Sequence, residues 1–298
     1  MTISVTSPIQ RAIDRTNEVL FEGFSFEKWF KLGFCAWLAN LGDGGGGGGS
    51  GNTYEDAPLA EGAAWVEANA MTVLAILVAV VAFVILIVLL VSWLSARGTF
   101  MFLDGIVRDR GAVAEPWGKF RGRGNRLFVA KAVVGLATSF LALVAMLLGI
   151  AIAWPDIASE RFQEAALLGL IVGAGGVLVS TLSYWGVNFF LRNFVAPTMY
   201  LHDVGVLEAW NLIRAEVIAG HAGTVFCYFL MRVGIAIVAV IIAMLSICLT
   251  CCLTAIPYLG TVILLPLFVF ERSYGMYFLE QFGERWRFFD ASSELVEA

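Results

Sequence analysis

Arg232 stands alone among apolar residues, followed by 38 positions, 233–270, without one charged side chain. If its helix starts near His221, eleven residues at about 1.5 Å each place it roughly 16 Å deep, near the middle of a bilayer. A charge at that depth is costly unless it faces a partner, a cavity or water, so such a residue marks a candidate site. Its expected partners are hydroxyls, amides, carbonyls freed near Pro257 or Pro266, or a lipid phosphate. Ser180, Tyr184 and Asn188 fall at i, i+4 and i+8 on one helix face, with Thr181 beside them, and could supply the first two. Two readings of this set stay open: a polar clamp between helices, and a ligand- or lipid-binding site.

Other groupings of reactive residues carry less. Cys248, Cys251 and Cys252 have the spacing of half a zinc site, but the other half would need two more nitrogen or sulfur ligands. His202 and His221 are the two histidines, and both are expected on the opposite membrane face. Packing of small apolar residues in a tight hairpin is the simpler reading, with redox chemistry left open. The glycine run 44–49 has no following Lys and Ser or Thr, so it reads as a linker rather than a phosphate loop. No nucleophile–base pair, paired intramembrane carboxylates or zinc-protease motif is present. The expectation is a protein without catalysis, metal or cofactor.

The elements that must position Arg232 are long and apolar. Residues 70–96, 132–154 and 165–191 form uncharged runs of 27, 23 and 27, and the 38-residue run is long enough to fold back. Since about 20 apolar residues cross a bilayer as helix, each run can span. Hydrophobic residues make up 59% of the 298-residue chain and charged residues 14%, at a mean hydropathy of +0.83. A water-soluble chain of this size could not bury so much apolar surface.

Pro257 and Gly260 divide the last run into spans at about 222–246 and 253–270. A further candidate, 26–41, is short and begins with Glu27, Lys28 and Lys31. Counting it as a span puts seventeen of the nineteen Lys and Arg on one side of the membrane, with Arg161 opposite and Arg232 inside a span. The positive-inside rule then predicts six transmembrane helices with both termini cytoplasmic.

The cytoplasmic stretches share a grammar. Glu115-Pro-Trp117 matches Glu208-Ala-Trp210 at an offset of 93 residues, and aromatic–basic segments surround both. This predicts an all-α fold of three hairpins, each preceded by a cytoplasmic interfacial elbow helix, within one membrane domain, 1–298. The pseudo-repeats run at about 1–96, 97–192 and 193–272, followed by an interfacial segment at 273–298. Gly169, Gly173, Gly175 and Gly176 form a small-residue face suited to internal packing or to dimerisation.

The segment beginning Glu27-Lys-Trp-Phe-Lys-Leu-Gly-Phe34, the glycine run, the Glu-Pro-Trp elbow, and the segment from Leu249 to Gly260 resemble an uncharacterised family of bacterial and archaeal six-span membrane proteins. More distantly, the chain is similar to the membrane domain of glycerophosphodiester phosphodiesterases, whose catalysis belongs to a separate soluble barrel. The resemblance implies a prokaryotic inner-membrane location, supports the six-span topology and leaves function open. The expected role is an accessory subunit or scaffold binding membrane lipids, partner membrane proteins or itself, and no nucleic acid. The alternatives are a transporter or channel using the Arg232 region, and a lipid-modifying enzyme.

Overall fold

The computed structural model describes residues 3–22, 24–41, 69–159, 163–250, 256 and 258–289. The glycine run, Cys251, Cys252 and Pro257 lie outside the described residues, and Cys248 is exposed and unbridged. Among the described residues, eleven α-helices follow in order: α1 Ser7–Leu20, α2 Phe26–Asn40, α3 Ala70–Val107, α4 Ala114–Lys119, α5 Arg121–Ala158, α6 Glu164–Phe190, α7 Ala196–His202, α8 Val206–Leu212, α9 Ala222–Leu249, α10 Leu259–Ile263 and α11 Leu265–Glu280. A π-turn, Leu191–Val195, joins α6 to α7, and a second, Ile213–Ile218, follows α8. No strand occurs among the described residues.

Helix α3 divides the molecule. Nearly every position from 71 to 90 is exposed, although most are Val, Ile, Leu, Ala or Phe; every position from 95 to 106 is buried. The second half is enclosed by α2 along one side, where a side chain at Gly98 would meet Leu38 and Ala39 at 2.5–2.7 Å. Ser95 donates to the carbonyl of Ala39 at 2.9 Å. Arg15, on the inner face of α1, donates to the last carbonyls of α3, Ile106 at 2.7 Å and Val107 at 3.0 Å. Those carbonyls have no partner within the helix, so the guanidinium caps them.

The same core takes in α1, α7, α11 and the start of α9. Tyr228 of α9 is fully buried, its ring 5.5 Å from Tyr274 and 4.3 Å from Phe278. Aromatic contacts of this kind add about 0.5–1.5 kcal/mol each beyond the area they bury. At the other end of the molecule, α5 and α6 form a close hairpin. A Cβ at Gly169 would lie 2.4 Å from the carbonyl of Gly149, and one at Gly176 would lie 2.2 Å from Ala145 Cβ. Gly169 and Gly176 therefore serve internal packing at an approach that only glycine permits, whereas a side chain at Gly175 would meet nothing within 4 Å. Asp156 closes the turn by accepting the N–H groups of Gln163 (3.0 Å) and Ala166 (2.8 Å) at the start of α6.

Among the described residues, four helical stretches are long and apolar enough to cross a membrane: Ala70–Val107, Arg121–Ala158, Glu164–His202 and Ala222–Leu249. The sequence predicts six, and two fail for different reasons. Helix α2 has 15 residues, about 22 Å, short of a bilayer core of about 30 Å. The sixth expected span is broken at Leu264 into α10, of five residues, and α11, which starts at Leu265-Pro266 and buries Arg272–Leu279 in the core. Proline fits the first turn of a helix but not its interior, so Pro266 starts a new helix rather than sitting mid-span.

Candidate functional site

Arg232 sits where α9 leaves the core, one turn beyond Tyr228. The Tyr228–Tyr274 stack sets α9 against α11, and Glu271 lies just under one turn before Tyr274. The two charges thus meet: Arg232 Nη2 is 3.5 Å from the Glu271 carboxylate, and Nη1 donates to the Glu271 carbonyl at 3.2 Å. The side chains are 11% and 16% exposed. The expected hydroxyl partners are not those found. A carboxylate supplies the counter-charge, from a residue that the sequence places just past the last span.

The pair forms one end of a groove of about 550 Å³ between α6 and α9. Trp185, Asn188, Phe189, Arg192 and Asn193 line one wall; Arg232, Val233, Ala236, Ile237, Val240 and Ile241 line the other, with Glu271 at the junction. Positions 232, 233, 236, 237, 240 and 241 form a single helix face by their spacing. The charge opens that face, and an apolar wall about 13 Å long continues it. Ile237, Val240 and Ile241 are each more than half exposed, so the groove opens along an apolar surface.

Arg192 owes its place to the π-turn. The extra residue in a π-turn takes carbonyls out of the regular ladder, and the Arg192 carbonyl accepts from Arg272 Nη1 at 2.9 Å. The Arg192 guanidinium donates to the side-chain oxygen of Asn40 at the end of α2. Asn193 donates to the Phe189 carbonyl at 2.9 Å.

Of the polar face Ser180, Tyr184 and Asn188, only Asn188 joins Arg232. Ser180 and Tyr184 line a separate groove of about 630 Å³ between α3, α5 and α6, together with Lys131, Thr138, Ser139, Thr181 and Ser92. The reason is geometric: each four-residue step on a 3.6-residue helix turns about 40° past a full turn, so the stripe winds from one groove to the other. The Ser180, Thr181 and Thr138 hydroxyls donate to Gly176, Val177 and Val134 carbonyls at 2.8 Å, on their own helices.

Reading the sequence alone misses Arg192, Asn193, Trp185 and Glu271. One signal was available: Arg192 continues the series 180, 184, 188 by a further four. Nothing local marks Glu271, 39 residues along the chain from Arg232.

The elbow residues have structural work. After α3 the chain turns left-handed at Asp109 (φ 49°) and enters α4; after α7 it does so at Asp203 (φ 56°) and enters α8 three residues later. Aspartate tolerates this region better than most residues. Glu115 accepts from Arg110 at 2.8 Å, which holds its carboxyl below the ordinary value of 4.5. Glu208 instead accepts the Gly205 N–H at 3.1 Å, capping α8. Arg97 lies 4.2 Å from the Trp93 ring and 4.9 Å from Trp117, held between two indoles. Trp210 packs against Phe190 at 6.0 Å. None of Glu115, Trp117, Glu208 and Trp210 lines the Arg232 groove. No group of three or more His, Cys, Asp or Glu able to hold a metal occurs among the described residues.

The fold and site define an all-helical protein with four helices of membrane-spanning length and an apolar groove closed by an arginine–glutamate pair. The chain belongs to a family of unknown function, DUF7544, whose model matches residues 3–285. No curated protein and no solved structure matches it.

Proposed function

We propose that this chain is an integral membrane protein without catalysis of its own, which holds a membrane lipid in the α6–α9 groove. The observation that supports the reading is the order of residues along that groove. Arg192, Arg232, Asn188 and Asn193 gather at its base, and the α9 wall beyond Arg232 is wholly apolar. A lipid has the same order, a polar head followed by chains. Arginine forks suit phosphate oxygens, and asparagine amides add donors and acceptors. A site at a membrane surface gains affinity from apolar contact and head-group charge together.

Placement in the membrane follows the same logic. The exposed part of α3 from Val73 onward carries only apolar side chains and belongs in lipid. Ser4 and Gln281 exchange hydrogen bonds at 2.8 Å, so the two terminal segments share one layer. Arg11 and Arg15 lie in that layer beside the basic residues of 108–123, and the positive-inside rule makes it cytoplasmic. The two similar elbows fit a duplicated unit. An accessory or scaffold role, with partner membrane proteins or a second copy, is the broader function into which a bound lipid fits. A transporter is the second reading; it draws on Lys131 and the hydroxyls of the other groove.

Native mass spectrometry of gently purified protein tests the lipid reading. Wild type should carry a co-purified phospholipid, and a double variant, Arg232→Met with Glu271→Leu, should lose it while staying folded. Equal lipid occupancy in the two would overturn the proposal.

A further inference from the structure

We infer that the first elbow holds the phosphate of an anionic phospholipid between Arg97 and Arg121, a second lipid site that uses no residue of the α6–α9 groove. Arg97 carries the argument. It is 6% exposed, and its guanidinium lies against the rings of Trp93 and Trp117. A Cβ at Gly124 would lie 2.8 Å from Arg97 Cγ, so α5 encloses the stem of the side chain as well. Yet the guanidinium has a single hydrogen bond, from Nη2 to Asn125 Oδ1 at 3.2 Å, and Nε is buried without an acceptor. Among the described residues no carboxylate pairs with Arg97 or with Arg121, and the two guanidiniums are close enough to repel each other. Indole faces attract a cation but accept little from its N–H groups. A buried cation held beside another calls for an anion, and forked donors suit phosphate oxygens.

The surroundings favour a lipid over a free phosphate. Helix α3 changes from exposed apolar residues at 71–90 to buried ones at 95–106, so Arg97 stands where the helix leaves the bilayer for the core. Tryptophans such as Trp93 and Trp117 gather at that level. Leu86, Leu90, Trp93 and Arg97 share one face of α3, and Leu86 and Leu90 are more than half exposed. On α5, Asn125, Val129 and Val133 follow Arg121 at four-residue steps, and both valines are more than half exposed. Asn125 is itself exposed and accepts from Trp93 Nε1 at 3.1 Å as well as from Arg97, which ties the two faces together. Each face runs from cation to apolar surface, the order of a phospholipid from head to chain.

Photo-crosslinking tests this. Full-length protein in nanodiscs of phosphatidylcholine receives a trace of phosphatidylglycerol with a diazirine at the head-group end of one chain, and mass spectrometry maps the adducts to peptides. Adducts should appear within 117–133 and fall about fivefold in Arg121→Gln, the scale of one basic side chain at an anionic surface. Arg121 is exposed and has no partner among the described residues, so this change spares the fold. Arg126 is also exposed but lies about 140° round the helix, so Arg126→Gln should label like wild type. The same diazirine on phosphatidylcholine should label these peptides about fivefold less. Undiminished labelling in Arg121→Gln, or equal labelling by the two lipids, overturns the inference. Equal losses in Arg121→Gln and Arg126→Gln overturn it too, since they would report a diffuse attraction to basic surface. Inorganic phosphate in excess should not suppress the adducts; suppression would overturn the choice of a lipid. Arg232→Met/Glu271→Leu should leave these adducts intact whatever it does to the groove, and their loss would overturn the independence of the two sites.

Discussion

Arg232 and Glu271 support each other, and each is expensive without the other. With side chains only 11% and 16% exposed, removing one partner leaves a poorly solvated charge. Arg232→Met alone should therefore lower stability by about 3 kcal/mol, the scale seen when one member of a buried pair is removed. Arg232→Met with Glu271→Leu should recover most of that loss, because apolar packing can replace a buried ion pair at little cost. Thermal unfolding in detergent measures both. Two single variants whose effects simply add would show that the pair is not coupled. The residue scale also holds the clearest limit of sequence reading. Arg232 stands out by its type and surroundings, but its partner does not. Glu271 reads as the first residue of a polar tail, and only the stacking of Tyr228 on Tyr274 and Phe278 brings it to the arginine.

The α5–α6 hairpin depends on how closely two helix backbones approach. At Gly176 a side chain would run into Ala145, whereas at Gly175 one would meet nothing within 4 Å. Gly176→Leu should destabilise the protein by about 2 kcal/mol or more, as overpacking does, and Gly175→Leu should leave unfolding nearly unchanged. If adjacent glycines respond alike, close approach is not what holds the hairpin. Elbow α4 offers a pH dependence. Arg110 holds the Glu115 carboxyl below 4.5, and Arg123 likewise holds Asp203 below 3.8. Groups whose pKa is depressed by folding contribute stability above the unfolded value and lose it as pH falls through the folded value. Local ordering of the elbows should therefore be full at neutral pH and weaken only below about pH 4. Hydrogen exchange in residues 109–120 and 203–212, compared between wild type and Glu115→Gln, would report it. Protection in wild type lost well above that range would contradict the assignment. The Glu-x-Trp elbows were legible as paired motifs, yet the two glutamates act differently. Glu115 meets Arg110, five residues before it, which also bonds Asp104, while Glu208 meets the backbone at the start of its own helix.

At the scale of the whole molecule, the chain separates into a polar-rimmed core and apolar helices that leave it. The proposed placement predicts that single cysteines at Ser4 and Arg123 react from the same side of the membrane, and one at Ser159 from the other. A reagent that cannot cross the membrane checks this in sealed vesicles of known orientation. Labelling of Ser4 and Ser159 from one side would overturn the arrangement. The sequence by itself determined that the chain is helical, that residues 70–96, 132–154, 165–191 and the stretch after Arg232 need an apolar setting, and that the helix carrying Arg232 has to satisfy a charge. These conclusions depend on composition over windows of about 20 residues, which a bilayer reads directly. Only the tertiary structure decided that, among the described residues, four helices and not six have the length and apolar surface to cross. A short apolar segment such as α2 looks the same in sequence whether it faces lipid or protein. Its fate is set by Ser95 and Gly98 of α3 meeting Ala39 and Leu38 of α2. The tertiary structure likewise parted Ser180 and Tyr184 from Arg232, because a four-residue stripe winds around its helix and each groove takes only the part that faces it.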